Sequence, residues 1–138
     1  MKLQAATGHA IRILGYLAEG KGRLMTATEM SERLGITYLY FMKITGYLKR
    51  AGLVISEQGC NGGYRLAKKI ENISVYDVVR AIEGELSIDK RILESNMRED
   101  ECYIHDFFNS VQDNMIDQME KIHISDLFAV PKKKMHVV

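Results

Sequence analysis

Two short helical patterns separated by a tight turn, within residues 26–51, constrain the fold of this chain more than any other feature. Thr26 lies three residues before Glu29, a spacing at which each side chain accepts a hydrogen bond from the other residue's backbone N–H. The helix that begins there is predicted to end at Gly35, because glycine adopts the left-handed conformation of a helix C-terminus at little cost. Thr37 is then placed to cap a second helix, so the sequence predicts a helix-turn-helix.

The second helix of this motif is predicted to run to about residue 51 and to bury one stripe. Its apolar positions recur at intervals of three, four and three: Phe41, Ile44, Leu48 and Ala51. The other side carries three further apolar residues, Tyr38, Leu39 and Met42. Apolar side chains are unusual on a face that the stripe leaves in contact with water, so we expect another molecule to cover them.

A glycine-rich hairpin is predicted directly after the helix-turn-helix. Two short runs rich in β-forming residues, 53–56 and 64–67, flank the turn GCNGG at 59–63. Glycine and asparagine tolerate the positive φ angles that a tight hairpin turn requires. A helix-turn-helix followed by a hairpin is typical of a winged helix, in which the hairpin is the wing.

A long helix is predicted near the end of the chain, from about residue 101 to 122. Its apolar positions recur at intervals of three and four: Ile104, Phe108, Val111, Met115, Met119 and Ile122. Phe107 widens this stripe. A small winged helix offers too little surface to cover so long a stripe, so we expect dimerisation through this helix. The alternative is that the helix packs back onto its own domain.

These patterns together predict a mainly α fold with a small β wing. A winged helix-turn-helix domain occupies residues 1–84, and its last helix begins at Ser74 and ends at Gly84. A charged, irregular loop follows over 85–100. The dimerisation helix and a short C-terminal element occupy 101–130, and residues 131–138 are expected to form a flexible tail.

Charge is distributed unevenly along the chain, although the net charge is only +1. Residues 1–70 hold eleven Lys or Arg against four Glu, a balance of +7, whereas residues 71–130 hold five basic and fourteen acidic residues, a balance of −9. A basic half of this kind favours contact with a polyanion such as nucleic acid, although a solvated surface can also divide its charge in this way.

Composition excludes several other classes of protein. Hydrophobic residues make up 46% of the chain, but no run is long enough to span a membrane and the first residues lack the apolar core of a signal peptide. We therefore expect a cytoplasmic protein. Two cysteines are too few for a disulfide framework. Phosphate-binding glycine motifs, His-Glu-x-x-His and nucleophile elbows are missing from the sequence, so we predict that the chain is not an enzyme.

The order of these motifs resembles the Rrf2-type family of bacterial winged-helix transcriptional regulators. Four groups of segments carry the resemblance: MKL at 1–3 with AIRIL at 10–14; GIT at 35–37 with YF at 40–41 and AGLV at 51–54; GGYRL at 62–66; and ISV at 73–75 with DVVRAIEG at 77–84. This family includes an iron–sulfur cluster regulator, a nitric-oxide-sensitive repressor and a cysteine-metabolism repressor. The resemblance implies a homodimeric repressor or activator that binds a double-stranded DNA operator, and of the two we expect a repressor.

Several residues depart from the pattern of the family. Many members hold an iron–sulfur cluster with three cysteines before the long helix, and here only Cys102 stands in that region. We therefore expect no iron–sulfur cofactor. Gln58 occupies the position before the wing's first glycine, where an arginine is common, and Met42 stands where some members have a glutamate. Because of these differences, the resemblance does not carry over an operator sequence to this chain.

The resemblance and the basic charge together give a set of candidate DNA-binding residues. Candidates for phosphate contacts are Lys43, Lys49, Arg50 and Arg65, with Thr37 and Tyr40 as neutral donors. Candidates for reading bases in the major groove are Tyr38, Leu39, Met42 and Lys43. The wing residues Gln58, Asn61 and Arg65 are expected to reach a neighbouring minor groove. The alternatives are a solvated basic face and a Tyr40 ring packed under the wing.

Cys60, Cys102 and His105 are the candidate redox or sensor residues. Cys60 lies in the exposed wing, where an oxidised or bulky sulfur would face phosphates and weaken binding. Cys102 lies near a helix N-terminus, which favours its thiolate, but acidic residues at 99–101 oppose this, and a small buried hydrophobic side chain is the alternative role. Cys102 and His105 have the spacing of metal ligands, but one pair does not complete a site and no metal is predicted.

A second class of function stays open at this point. The winged helix could regulate through a partner protein instead of reading DNA directly, an alternative that the family resemblance keeps open because its cysteine-metabolism repressor uses a protein partner. An effector ligand is likewise compatible with the sequence. DNA affinity that depends steeply on salt would favour the DNA-binding alternative.

Overall fold

The computed structural model describes residues 3–87 and 102–128. Within them the elements follow in the order α1 (Ala5–Glu19), α2 (Ala27–Leu34), α3 (Tyr38–Arg50), β1 (Val54–Glu57), β2 (Gly63–Leu66), a 3-10 helix (Ile70–Asn72), α4 (Val75–Glu83), α5 (Cys102–Lys121) and α6 (Ile124–Phe128). The order confirms the predicted fold class, a winged helix-turn-helix followed by a long helix. Most of the predicted loop 85–100 and all of the predicted tail 131–138 lie outside the described residues.

The helix-turn-helix forms through the caps that the sequence predicts. Thr26 Oγ1 accepts from the Glu29 backbone N–H at 3.1 Å, and the Glu29 carboxylate accepts from the Thr26 N–H at 3.0 Å. Gly35 ends α2 in the left-handed conformation with φ 68°. Thr37 Oγ1 then caps α3 by accepting from the Tyr40 N–H at 3.1 Å. These local interactions fix the residue at which α2 ends and the residue at which α3 begins.

The buried stripe of α3 is one residue shorter than the spacing predicts. Phe41, Ile44 and Leu48 are at most 1% exposed, but Ala51 is exposed because it caps the C-terminus and lies beyond the last helical turn. Thr45 is also buried, and its hydroxyl donates to the Phe41 carbonyl at 3.0 Å. Burying this hydroxyl therefore costs little free energy, since its O–H donates a hydrogen bond within the helix.

The wing is an antiparallel hairpin whose strands lie about one residue from their predicted positions. Val54 pairs with Leu66 and Glu57 with Gly63. Met25, just before α2, also exchanges two backbone hydrogen bonds with Tyr64, at 3.0 and 2.8 Å. A two-stranded hairpin alone is only marginally stable in water. The bridge at Met25 therefore attaches the wing to the helix-turn-helix.

Helix α1 supplies the centre of the core. Four of its residues are at most 1% exposed: Ala10, Ile13, Leu14 and Leu17. Helix α4 contacts both α1 and α3, and it contributes buried Val78 and Val79. No helix among the described residues has both the length and the hydropathy needed to cross a membrane.

The C-terminal helices are attached to the winged helix by backbone hydrogen bonds. The Val75 N–H donates to the Ile122 carbonyl and the Ile124 N–H to the Ile73 carbonyl, both at 2.8 Å. The Ile124 side chain is fully buried in the core. In α6, the Phe128 ring lies so close to Gly15 of α1 that a Cβ at this glycine would overlap it. The long helix therefore ends at a fixed place on its own domain.

The residues of the predicted dimerisation stripe on α5 differ in exposure. Phe108, Met119 and Ile122 are partly buried, and α5 as a whole contacts α4. Ile104, Val111 and Met115 are exposed by 49%, 37% and 37%. Two neighbouring aromatic rings are still more exposed, Phe107 at 62% and Tyr103 at 80%. The long helix therefore packs on its own domain in part and leaves several apolar side chains of the stripe in contact with solvent, while dimerisation through it stays a prediction.

Candidate nucleic-acid interface

The outer face of α3 presents apolar and basic side chains side by side. Leu39 is 79% exposed, Tyr38 52% and Met42 38%. Lys43, Lys49 and Arg50 are exposed on the same helix. Burying Phe41 and Ile44 against α1 and α2 turns the opposite side of α3 outward, which is how a recognition helix is presented to a major groove.

The basic side chains of α3 are free to bind an anion. Within residues 3–87 and 102–128, no carboxylate lies within ion-pair distance of Lys43 or Lys49. The Arg50 guanidinium lies over the Tyr47 ring at 4.8 Å, a contact that orients the group and keeps its charge. Side chains without internal partners give up no ion pair when they neutralise phosphates.

The wing presents a polar tip. Gln58, Cys60 and Asn61 are exposed, and the Gly62 N–H donates to the Gly59 carbonyl at 3.0 Å to close the turn. Gly59 has φ 103°, a conformation that side-chain-bearing residues rarely adopt. The tip therefore holds its shape through the backbone, and the side chains at 58, 60 and 61 remain free for contacts.

Arg65 differs from the other basic candidates because it already has a partner. Its Nε lies 3.5 Å from a Glu57 carboxylate oxygen on the neighbouring strand, and both side chains are well exposed. An exposed pair of this kind contributes little to stability. Phosphate binding by Arg65 would exchange one weak ion pair for another, so Arg65 stays a weaker candidate than Lys43.

A groove of about 260 Å³ separates the recognition helix from the wing. Its lining comes from the start of α2, the outer side of α3 and the wing, and includes Thr26, Thr28, Tyr38, Met42, Gln58, Cys60 and Tyr64. Neither the α2 residues nor Tyr64 are among the interface residues predicted from the sequence. The hydroxyls of the α2 N-terminus lie beside the wing only because of the Met25–Tyr64 bridge, which no local pattern indicates.

Tyr64 is the residue that joins the wing to the recognition helix. Its ring meets the Phe41 ring edge-on, with the centroids 5.4 Å apart. Its hydroxyl donates to Met42 Sδ at 3.1 Å. Alternation along β2 is compatible with an inward-facing Tyr64, but its pairing with Met42, 22 residues away, carries no local signal in the sequence.

The Thr37 and Tyr40 side chains have structural partners at the start of α3. The Thr37 oxygen caps the helix, which leaves its O–H free to donate. The Tyr40 ring lies half-buried against the His9 ring of α1, with the centroids 5.7 Å apart and the planes nearly perpendicular. Tyr40 therefore packs against α1 and not under the wing, which corrects the alternative drawn from the sequence.

A second, smaller cleft of about 200 Å³ lies on the other side of α3, lined in part by Gln4, Tyr40, Lys43 and Tyr47. Next to it, the Glu83 carboxylate accepts from the Gln4 backbone N–H at 2.6 Å and from Gln4 Nε2 at 3.0 Å. The same carboxylate accepts from Thr7 Oγ1 at 2.9 Å. Three hydrogen bonds thus join the end of α4 to the start of α1.

The candidate sensor residues lie on two elements of the fold, with Cys60 on the wing and Cys102 and His105 one turn apart at the start of α5. Cys60 is at the wing tip, whereas Cys102 is the first residue of α5. His105 Nδ1 lies 2.9 Å from Asn109 Nδ2 and 3.8 Å from an Asp106 oxygen. In the part of the chain that the structure describes, no three His, Cys, Asp or Glu side chains group as metal ligands.

Oxidation of Cys60 is expected to weaken DNA binding by about tenfold, since a negative sulfur product in the groove opposes phosphate binding. We would compare the affinity for operator DNA before and after peroxide treatment, in the parent protein and in Cys60→Ser. The serine variant keeps the size of the side chain and removes the reactive sulfur. An equal response of both proteins to peroxide would show that Cys60 is not the responsive group.

Comparison with known proteins identifies a family whose sequence model matches most of this chain. The model of the Rrf2 family, described as iron-dependent transcriptional regulators, matches residues 3–130. The chain is 35% identical over 88 residues to Protein aau3 of Rhizobium meliloti, a match that covers 64% of this chain and 57% of that protein. The chain thus spans little more than half the length of this curated relative.

Two solved structures illustrate the likeness in fold. CymR, the global cysteine regulator of B. subtilis, has a TM-score of 0.75 at 20% identity, with 96% of this chain and 99% of that chain covered. IscR of T. potens has a TM-score of 0.70 at 24% identity, with 99% and 93% covered. The described helices and wing are therefore arranged as in these regulators.

Proposed function

Because the chain belongs to the Rrf2 family of transcriptional regulators, we propose that it binds operator DNA sequence-specifically as a homodimer and represses transcription from the bound site. The observation that carries the proposal is the continuous exposed surface formed by α3 and the wing. On it, Lys43 and Lys49, which have no carboxylate within ion-pair distance among the described residues, share the outer face of α3 with exposed Tyr38 and Leu39. Repression is the simplest consequence, since a dimer seated on promoter DNA excludes other proteins from it.

The side chains of this surface divide into two roles. Lys43, Lys49 and Arg50 are suited to phosphates, because displaced counterions supply most of the affinity of protein–DNA complexes. Leu39 and Tyr38 are suited to base edges, and an apolar side chain such as Leu39 can contact a thymine methyl group. Gln58 and Asn61 at the wing tip are suited to an adjacent minor groove.

The exposed face of α5 supports the homodimer. A shallow depression of about 340 Å³ on this helix is lined by Val111, Asn114, Met115, Gln118 and Met119. Together with Ile104 and Phe107 it forms an apolar surface that water covers in the single chain. A second copy of the same helix buries it and brings two recognition helices together, as a two-fold symmetric operator requires.

We propose that this regulator works without an iron–sulfur cluster. Such clusters are held mainly by cysteine thiolates, typically four for each cluster. The chain has two cysteines, and Cys60 lies at the wing tip, away from the start of α5 where Cys102 lies. The donor set therefore does not fit the three-cysteine site of the family. Protein purified without oxygen is expected to be colourless and free of iron.

The experiment that tests the function is a DNA-binding titration at several salt concentrations. We would use DNA from upstream of the protein's own gene and a scrambled duplex of equal length and composition. The expected result is tighter binding to the upstream DNA and an affinity that falls steeply as salt rises. Binding to neither duplex, combined with recovery of a partner protein, would favour regulation through that partner.

A further inference from the structure

The contact between Tyr64 and Met42 links the two parts of the surface proposed to bind DNA. Met42 lies on α3 and Tyr64 on β2, and the hydroxyl of Tyr64 donates to the Met42 sulfur at 3.1 Å. Tyr64 is 8% exposed, so its hydroxyl faces the protein and is poorly placed to contact DNA itself. The bond therefore acts between wing and helix.

Both the backbone and the ring of Tyr64 are held in place by neighbouring residues. Its backbone forms two hydrogen bonds with Met25, at 3.0 and 2.8 Å, and its ring rests edge-on against buried Phe41. The neighbouring Gly63 has φ 149°, and a Cβ there would lie 2.7 Å from the Met25 carbonyl oxygen. Backbone contact on one side and the ring contact on the other hold Tyr64 where its hydroxyl reaches Met42.

We propose that Tyr64 and Met42 form a positioning pair that sets the place of the wing relative to the recognition helix. This inference rests on the proposed function, because the pair acts on DNA recognition by fixing where the wing tip lies when α3 is in the major groove. Met42 then contributes mainly through its sulfur as an acceptor. Base reading on α3 falls chiefly to Tyr38 and Leu39, for which no such internal bond is present in the described part of the chain.

Two single variants and their combination test the pair. Tyr64→Phe keeps the ring, its contact with Phe41 and the backbone bridge, but removes the donor. Met42→Leu keeps an apolar side chain able to touch a thymine methyl, but removes the acceptor. Each variant is expected to bind operator DNA about three- to tenfold more weakly, and the double variant no more weakly than either single one. Affinity for scrambled DNA is expected to fall by less, because phosphate contacts made by other residues dominate non-specific binding.

A second measurement reports on the wing directly. In a Cys102→Ser background, Cys60 at the wing tip is the single attachment point for a fluorophore. Fluorescence anisotropy of the free protein is expected to fall in both variants, because the wing moves more freely once the bond is removed. The thermal unfolding midpoint is expected to change little, which would show that the lower anisotropy does not come from general unfolding of the protein.

The results distinguish failure of the positioning pair from failure of the proposed function. A parent protein that binds neither duplex contradicts DNA binding itself. If the parent protein binds the operator, unchanged affinity in both variants contradicts the positioning pair. Additive reductions in the double variant also contradict it, because independent groups would then be responsible. A lower operator affinity in Tyr64→Phe but not in Met42→Leu contradicts it too, since the hydroxyl would then be acting without Met42.

Discussion

Replacing Lys43, Lys49 and Arg50 together by glutamine is expected to lower the affinity for operator DNA on the order of a hundredfold at low salt. Each side chain lies exposed on α3, and none of them has a carboxylate partner in residues 3–87 or 102–128. The slope of the logarithm of affinity against the logarithm of salt concentration is expected to become less negative by about 0.9 for each phosphate that the variant no longer neutralises. Titrations at four or more salt concentrations measure both quantities.

The chain offers a matched control for this variant. Lys21, Lys68 and Lys69 line an open cleft between the end of α1 and the segment after the wing, and their replacement by glutamine removes the same charge. This control is expected to keep most of the affinity. An equal reduction in both triple variants would mean that net charge, and not the position of the cations on α3, determines binding.

Val111→Glu is expected to convert the proposed dimer into a monomer and to lower operator affinity by about two orders of magnitude, because the two half-sites are then no longer linked. Val111 lies in the centre of the exposed apolar face of α5, between Phe107 and Met115. A carboxylate buried against its symmetry-related copy has no compensating partner. Light scattering or analytical ultracentrifugation measures the change in mass.

Ser110→Glu is the control for this substitution. Ser110 is the neighbouring exposed residue on α5, but the turn of the helix directs it toward the side that carries Asp113 and Asp117. The variant adds the same charge and is expected to remain dimeric. If both variants stay dimeric and bind DNA normally, this face of α5 is not the interface.

The helix-turn-helix and the wing were accessible from the sequence because local interactions determine them. The Thr26–Glu29 cap, Gly35 and Thr37 act within a few residues of each other, and each is found where the spacing places it. Ala51 marks the limit of this reasoning. The apolar repeat extends to it, but the helix ends one residue earlier and the side chain is exposed.

Long-range pairing explains what the sequence could not predict. The Tyr64–Met42 contact, the place of Tyr40 against His9, and the Phe128 ring on Gly15 each join residues more than twenty positions apart. The periodicity of α5 likewise predicts an amphipathic helix but not how much of each apolar side chain the domain covers. That coverage depends on how α5 meets α4, which is a property of the whole fold.

The Glu83 carboxylate ties the end of α4 to the start of α1. Glu83 is the last residue of α4, and Gly84 turns the chain away with φ 83° and ψ −176°. A movement of α4 that displaces Glu83 either breaks three hydrogen bonds to Gln4 and Thr7 or carries the start of α1 with it. Gln4 shares a cleft with Lys43 of α3. Any displacement at the end of α4 is therefore opposed by contacts that lie beside the surface proposed to bind DNA.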